Sequence, residues 1–140
     1  MALGIPAVAA FDSGNLRHVA KALRGRFPGT PMVIAGDDDR GVEVKLGINP
    51  GKVKAEEASR AVGCVYVFPS FVAGEGATTP NGLTDFNDLA RNSVLGAAAV
   101  VQQVSVAFER AIKQTSKAAD SSSCPGPCTA AYVAPGTANV

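Results

Sequence analysis

Apolar and polar positions change period in blocks along this chain. Residues 5–11 (IPAVAAF) form an unbroken apolar run, the pattern of a strand covered on both faces. The run gives way at Asp12-Ser13-Gly14-Asn15, a cluster of turn and helix-cap formers. Leu16, Val19, Ala20, Leu23 and Phe27 then recur at helical spacing, with Arg17, His18, Lys21, Arg24 and Arg26 on the other side. Pro28-Gly29-Thr30-Pro31 ends that helix. The same order then repeats. Residues 31–36 (PMVIAG) predict a second buried strand, which stops at Asp37-Asp38-Asp39. Residues 40–48 are irregular, with Val42-Glu43-Val44-Lys45 reading as a brief exposed strand. Asn49-Pro50 is a strong helix start, and residues 51–62 put Ala55, Ala58 and Val62 on one face before Gly63 stops the helix.

A third unit opens with residues 64–71 (CVYVFPSF), again an apolar strand, followed by a Gly-, Thr- and Pro-rich loop over 72–83. Thr84 or Asp85 then caps a long helix pattern that runs through Val100, Val101, Val104, Ala107, Phe108, Ala111 and Ile112. From Thr115 the period is lost, so residues 1–114 are expected to be the domain and 115–140 a low-complexity, disordered tail. Strands alternating with helices predict an α/β fold, a mainly parallel sheet flanked by helices. Ligands of such folds bind beyond the carboxyl ends of the strands. Those ends carry Asp12, the aspartate triplet and the loop before TDFND.

Composition narrows the picture. With 140 residues, 46% hydrophobic and 18% charged, the chain has the makings of one core-bearing domain. Its net charge of +1 advertises neither a nucleic-acid nor a membrane partner. No apolar run approaches the length of a membrane span. Met1-Ala2-Leu3-Gly4-Ile5-Pro6 lacks the basic and apolar regions of a secretory signal, so a cytoplasmic location is expected. Cys64 sits in an apolar run as a buried thiol. Cys124 and Cys128, in CPGPC, have no second cysteine pair and no nearby histidine, His18 being the sole one. They read as unpaired thiols, the alternatives being a local disulfide or half of a metal site. Gly74-Glu75-Gly76 lacks the spacing of a dinucleotide-binding turn.

The aspartate triplet carries the chemistry. Three adjacent carboxylates at a strand end repel one another, and a divalent cation offsets that repulsion. In extended backbone Asp37 and Asp39 project to one side and Asp38 to the other. Asp37 and Asp39 are therefore expected to share a metal, while Asp38 meets solvent or a basic partner. Mg²⁺ takes few protein carboxylates and keeps places for water or phosphate oxygens, which suits phosphoryl or nucleotidyl transfer. The plainer alternative is an acidic turn that only caps the next segment. The second acidic cluster, at Asp85 and Asp88, argues against it.

Taken in order, MVIAGDDDRG, NPGKVKAEEASRAVG, VYVFPSF and TDFNDLA resemble the primase-type Toprim domain of plasmid and phage DNA primases, over residues 5–112. The resemblance implies a compact Rossmann-like fold that holds Mg²⁺, with Mn²⁺ as a substitute, for nucleotidyl transfer in primer synthesis. Single-stranded DNA template and nucleotides are the implied partners. The family's DxD pair falls on Asp37 and Asp39, and its later primase motif on Asp85, Asn87 and Asp88. Asp85 is implied as catalytic together with the pair. The basic residue often found before that motif is Thr84 here, and FDSGNL matches the plasmid-type turn at Asp12 and Asn15. The family also has a glutamate ending a first strand upstream of everything matched. No glutamate precedes Glu43, and neither Glu43 nor Glu75 has that context. The expectation is a fold incomplete at its front, the remainder belonging to a longer primase.

Arg17, Lys21 and Arg24 are candidates for tracking a phosphate backbone, and a solvated helix face is the plainer reading. Lys52 and Lys54 lie in the first turn of the helix behind the aspartates, where backbone N–H groups favour a nucleotide phosphate. Two other functions fit less of the chain. One is a nucleic-acid-binding or replication-protein docking module without catalysis. The other is a haloacid-dehalogenase-type phosphatase, which wants a small hydroxyl or β-branched residue where Arg40-Gly41 stands.

Overall fold

The computed structural model describes residues 4–72 and 82–121, the side chains of 119–121 excepted. A 3-10 turn at Ser13–Asn15 leads into α1 (Leu16–Arg26), then β1 (Val33–Ala35), α2 (Arg40–Leu46), α3 (Pro50–Val62), β2 (Val65–Val67), α4 (Phe86–Asn92) and α5 (Ala97–Ser121). β1 and β2 pair in parallel, Val33 opposite Val65 and Ala35 opposite Val67. α1 and α3 pack together and α3 lies on both strands, while α5 packs on the same strands separately from them. The protein is thus an α/β fold, a small parallel sheet flanked by helices, as the alternating pattern predicts.

Local chemistry accounts for most boundaries. Asp12 caps the 3-10 turn by accepting from the Gly14 N–H. Asn49 caps α3 by accepting from the Lys52 N–H, with Pro50 in the first turn and left-handed Gly63 at the far end. Ala20, Ile34, Ala55, Ala58 and Cys64 form the core between α1, α3 and the sheet, with Leu16, Met32, Val62 and Phe68 around them. Gly36 is required there: a Cβ would come within 2.7 Å of the Phe68 ring and 2.8 Å of Ala55.

Four expectations need correcting. Residues 5–11 lie beside the core without joining the sheet, which among the described residues holds β1 and β2 alone: an apolar run is able to pair, but it becomes a strand only where a neighbour takes its N–H and C=O groups. Phe11 ends the run in left-handed backbone, φ 62°, with its ring 99% exposed. Residues 42–45 are helical rather than extended. The N–H groups of Val42 and Glu43 bond to the Asp39 carbonyl, which commits the segment to a helical turn. The helix pattern beyond Asp85 is broken by extended Ser93 and left-handed Gly96 into α4 and α5. Finally, β1 and β2 each hold only three residues of the longer apolar runs. The boundary expected at residue 114 falls inside α5, and Glu75, Cys124 and Cys128 lie outside the described residues.

Candidate functional site

The end of β1 and the starts of α3 and α4 meet at the aspartate run. The Asp38 N–H donates to the Thr84 carbonyl at 2.7 Å, which brings TDFND against the triplet. α3 approaches so closely that a Cβ on Gly51 would stand 2.5 Å from the Asp37 carbonyl oxygen and 3.0 Å from the Asp39 carboxylate. Only glycine permits that approach, and its N–H donates to Asp39 Oδ2 at 3.1 Å.

The run has two sides. Asp38 points inward and is 2% exposed. Its Oδ1 accepts from Asn49 Nδ2 at 2.9 Å and pairs with Lys52 Nζ at 2.9 Å, and its Oδ2 pairs with Arg40 Nε at 2.7 Å. Desolvation raises the Asp38 pKa, but hydrogen bonds from Lys52 and Arg40, with their charges, outweigh it and leave the group below its ordinary value. Asn49 completes the inner side. Its Nδ2 also donates to Glu43 Oε2 at 3.0 Å, and its Oδ1 accepts from the N–H groups of Asp39 and Lys52. Of the two fates read from the sequence for Asp38, the basic partner holds, buried rather than at the surface.

Asp37 is on the outer side, exposed. Its pKa is raised by desolvation first, then by the charges of Asp39 and Asp85. Asp85 caps α4, its Oδ1 accepting from the Asp88 N–H at 2.6 Å. Asp88 Oδ2 accepts from the Thr84 N–H at 3.0 Å, which ties the residue before the cap to the first turn of α4. The outer side therefore gathers three carboxylates. Among the described residues, however, no three His, Cys, Asp or Glu groups converge as a ready metal cage.

The other candidates are placed as follows. Lys52 is held by Asp38 and stands 5.9 Å over the Phe68 ring. Lys54 pairs with Glu57 at 3.1 Å on the surface. Arg17 and Lys21 are exposed on α1. Arg24 is engaged in structure, donating to the carbonyls of Val62, Pro28 and Thr30. Asn15 begins α1 without a side-chain cap bond, and the turn of Asp12 and Asn15 packs near α3. Asn87 is exposed on α4. Sequence reading did not find Gly51 or the bridging role of Asn49. A glycine directly after Asn-Pro at a helix start was the available signal for the first.

The fold and rim define an α/β protein with an acid cluster at the carboxyl end of its sheet. Comparison with curated proteins narrows this. A stretch of 76 residues, 54% of this chain, is 59% identical to a DNA primase TraC of Escherichia coli, and covers 7% of that protein. A second DNA primase TraC of the same organism is 55% identical over 74 residues, 5% of its length. About half of the chain is thus primase-related, and it spans a small fraction of those relatives. No family model and no solved structure matches the chain.

Proposed function

We propose that this chain carries the metal- and phosphate-handling part of a plasmid-type DNA primase, a Toprim-like domain acting in nucleotidyl transfer on a single-stranded template. The observation that supports this most is the outer rim: Asp37, its pKa raised by desolvation and then by Asp39 and Asp85, with no cation among the described residues paired to it, beside an inner side where Lys52 and Arg40 are taken by Asp38. The donor set fits Mg²⁺ or Mn²⁺, since Mg²⁺ needs one or two carboxylates and fills its other positions with water and phosphate oxygens. Asp37 and Asp39 would hold it, with Asp85 adding negative potential from α4. Bound there, the cation would neutralise nucleotide phosphates and the charge that grows during phosphoryl transfer. Within the chain, Gly51 keeps Asp39 oriented through its N–H, and the Asp38 network fixes the backbone from which Asp37 projects.

The test is Mg²⁺ and Mn²⁺ binding to the full chain, read by calorimetry and by Mn²⁺ broadening of backbone resonances. Broadening centred on residues 37, 39 and 85, abolished in Asp37→Asn/Asp39→Asn, is expected. Equal affinity in that double variant removes the metal reading. Primer synthesis on single-stranded DNA with Mg²⁺ then separates an enzyme from a second reading, a non-catalytic docking module. That second reading is favoured by the lack of a three-ligand cluster among the described residues. Hydrolysis of a simple phosphate monoester would instead point to phosphatase chemistry.

A further inference from the structure

α1 carries charge that its own fold does not use. It holds Arg17, Lys21, Arg24 and Arg26, with His18 beside the first, and no acid. Cations near a helix C-terminus meet the negative end of its dipole, which accounts for Arg24 and Arg26 in the last turn. Arg24 also ties α1 to the Val62 carbonyl at the end of α3. Arg17 stands in the first turn, at the positive end, and Lys21 follows one turn later on the same face. Like charges at that spacing repel. Both residues are exposed, and among the described residues no carboxylate pairs with either. The stability of the domain has no use for them.

A second feature stands at the head of the same helix. Phe11 is 99% exposed and, among the described residues, is the only non-glycine in left-handed backbone, φ 62°. A bulky residue is strained in that conformation, and this ring gains no burial in return. Glycine or asparagine would serve a mere turn better. The turn that follows is well made. Asp12 spends its carboxylate on the Gly14 N–H, and its carbonyl accepts from the Asn15 N–H. Phe11 is thereby set one 3-10 turn ahead of the first turn of α1, which carries Arg17 and His18.

We infer that the head of α1 is a contact for single-stranded nucleic acid, in which an unpaired base stacks on Phe11 while the phosphates beside it meet Arg17, His18 and Lys21. A bare ring next to a stripe of cations matches a ligand that combines flat π faces with repeated negative charge. A duplex keeps its base faces stacked on one another and would leave Phe11 in water. An anionic membrane takes up a helix by its apolar face, and α1 spends Leu16 and Ala20 on the core. The ligand class follows from this surface; its identification with a template strand rests on the primase reading.

The test is binding of a fluorescently labelled single-stranded DNA of about 12 nucleotides to the full chain at low salt, read by anisotropy with divalent metal chelated. Phe11→Asn removes the ring and suits the left-handed backbone, so it is expected to weaken binding by about tenfold or more with the unfolding midpoint kept. Phe11→Tyr, which keeps a π face, is expected to bind as the parent chain does. Arg17→Gln/Lys21→Gln is expected to lower the slope of log affinity against log salt by about 1.4, the loss of two phosphate contacts to a single strand. The matching RNA strand is a second arm: binding of either supports the contact, and the tighter of the two names its source. Equal affinity in Phe11→Asn, an unchanged salt slope in the double variant, duplex bound as tightly as the single strand, or no binding at low salt overturns the inference. So does binding to phosphatidylglycerol vesicles in preference to the oligonucleotide, which assigns the face to a membrane. Metal is absent throughout, so failure here leaves the proposed Mg²⁺ chemistry standing, and the reverse also holds.

Discussion

Asp37 and Asp38 are adjacent in sequence and experience opposite electrostatics. Asp38 is enclosed by Lys52, Arg40 and Asn49, with both oxygens taken. Asp37 faces out toward Asp39 and Asp85, with burial and like charge both opposing its ionisation. The difference comes from the half-turn of extended backbone between neighbours, which sends one carboxylate into the core and the other to the rim. The lesson concerns roles in a run of identical residues. The inner acid consumes the local cations and holds β1, α2 and α3 together, and by consuming them it leaves the outer acids unneutralised. An acid cluster that binds a metal needs such a division, because nearby lysines and arginines would otherwise compete for its oxygens.

The sharpest way to break this division is to remove its inner half. Asp38→Ala is expected to destabilise the chain by about 2–4 kcal/mol, since it strands the Asn49 amide and two cations around a buried site. Urea unfolding followed by far-ultraviolet circular dichroism measures it. A cost below about 1 kcal/mol would show that the inner network is not what holds the three elements. Gly51→Ala comes next, at about 1–3 kcal/mol, because the added methyl meets backbone oxygen that cannot move without displacing the whole aspartate run. It is also expected to weaken Mg²⁺ binding, as it displaces both Asp37 and Asp39.

How much of this was legible beforehand follows from range along the chain. The caps at Asp12, Asn49 and Asp85, the stop at Gly63 and the core face of α3 depend on residues within one or two turns, so their signals are local. The meeting of Asp37 and Asp85 was suggested only by both lying at strand ends, and the Thr84 carbonyl bond that joins them spans 46 positions. Residues 5–11 and 42–45 were misread for one shared reason. Apolar runs and two-residue alternation identify a segment able to pair, and pairing itself depends on whether a neighbouring edge is present. The relation to DNA primases holds over about half of the chain.

Smaller effects separate the two carboxylates by pH. Asp38, with its folded pKa below 3.8, stabilises the protein fully above that value, and this contribution disappears as pH falls through the lower folded value. Asp37, with its folded pKa above 3.8, does the reverse: its favourable contribution is present below 3.8 and is lost as pH rises through the folded value. Asp37→Asn is therefore expected to raise the urea midpoint at neutral pH, by less than about 1 kcal/mol because the group is exposed to solvent screening. The gain should vanish below pH 3.8, while Mg²⁺ affinity at neutral pH falls by about tenfold or more. A midpoint that drops at neutral pH would mean Asp37 has a cationic partner and the rim is not an unneutralised cluster.

Lys54→Ala should change least in the fold and tell most about phosphate. The Lys54–Glu57 pair is a surface contact between half-exposed side chains, worth no more than about 0.5 kcal/mol. Lys52 beside it is committed to Asp38, so replacing it would disturb the inner network and confound any loss of nucleotide binding. Lys54 can be removed cleanly. If the first turn of α3 receives a nucleotide phosphate, Lys54→Ala weakens ATP binding in the presence of Mg²⁺ by a few-fold at low salt, with the loss fading as salt rises, while the unfolding midpoint stays put. If binding is unchanged at every salt concentration, the lysine serves the surface alone, and phosphate contact at this rim has to come from the metal or from the backbone N–H groups of α3.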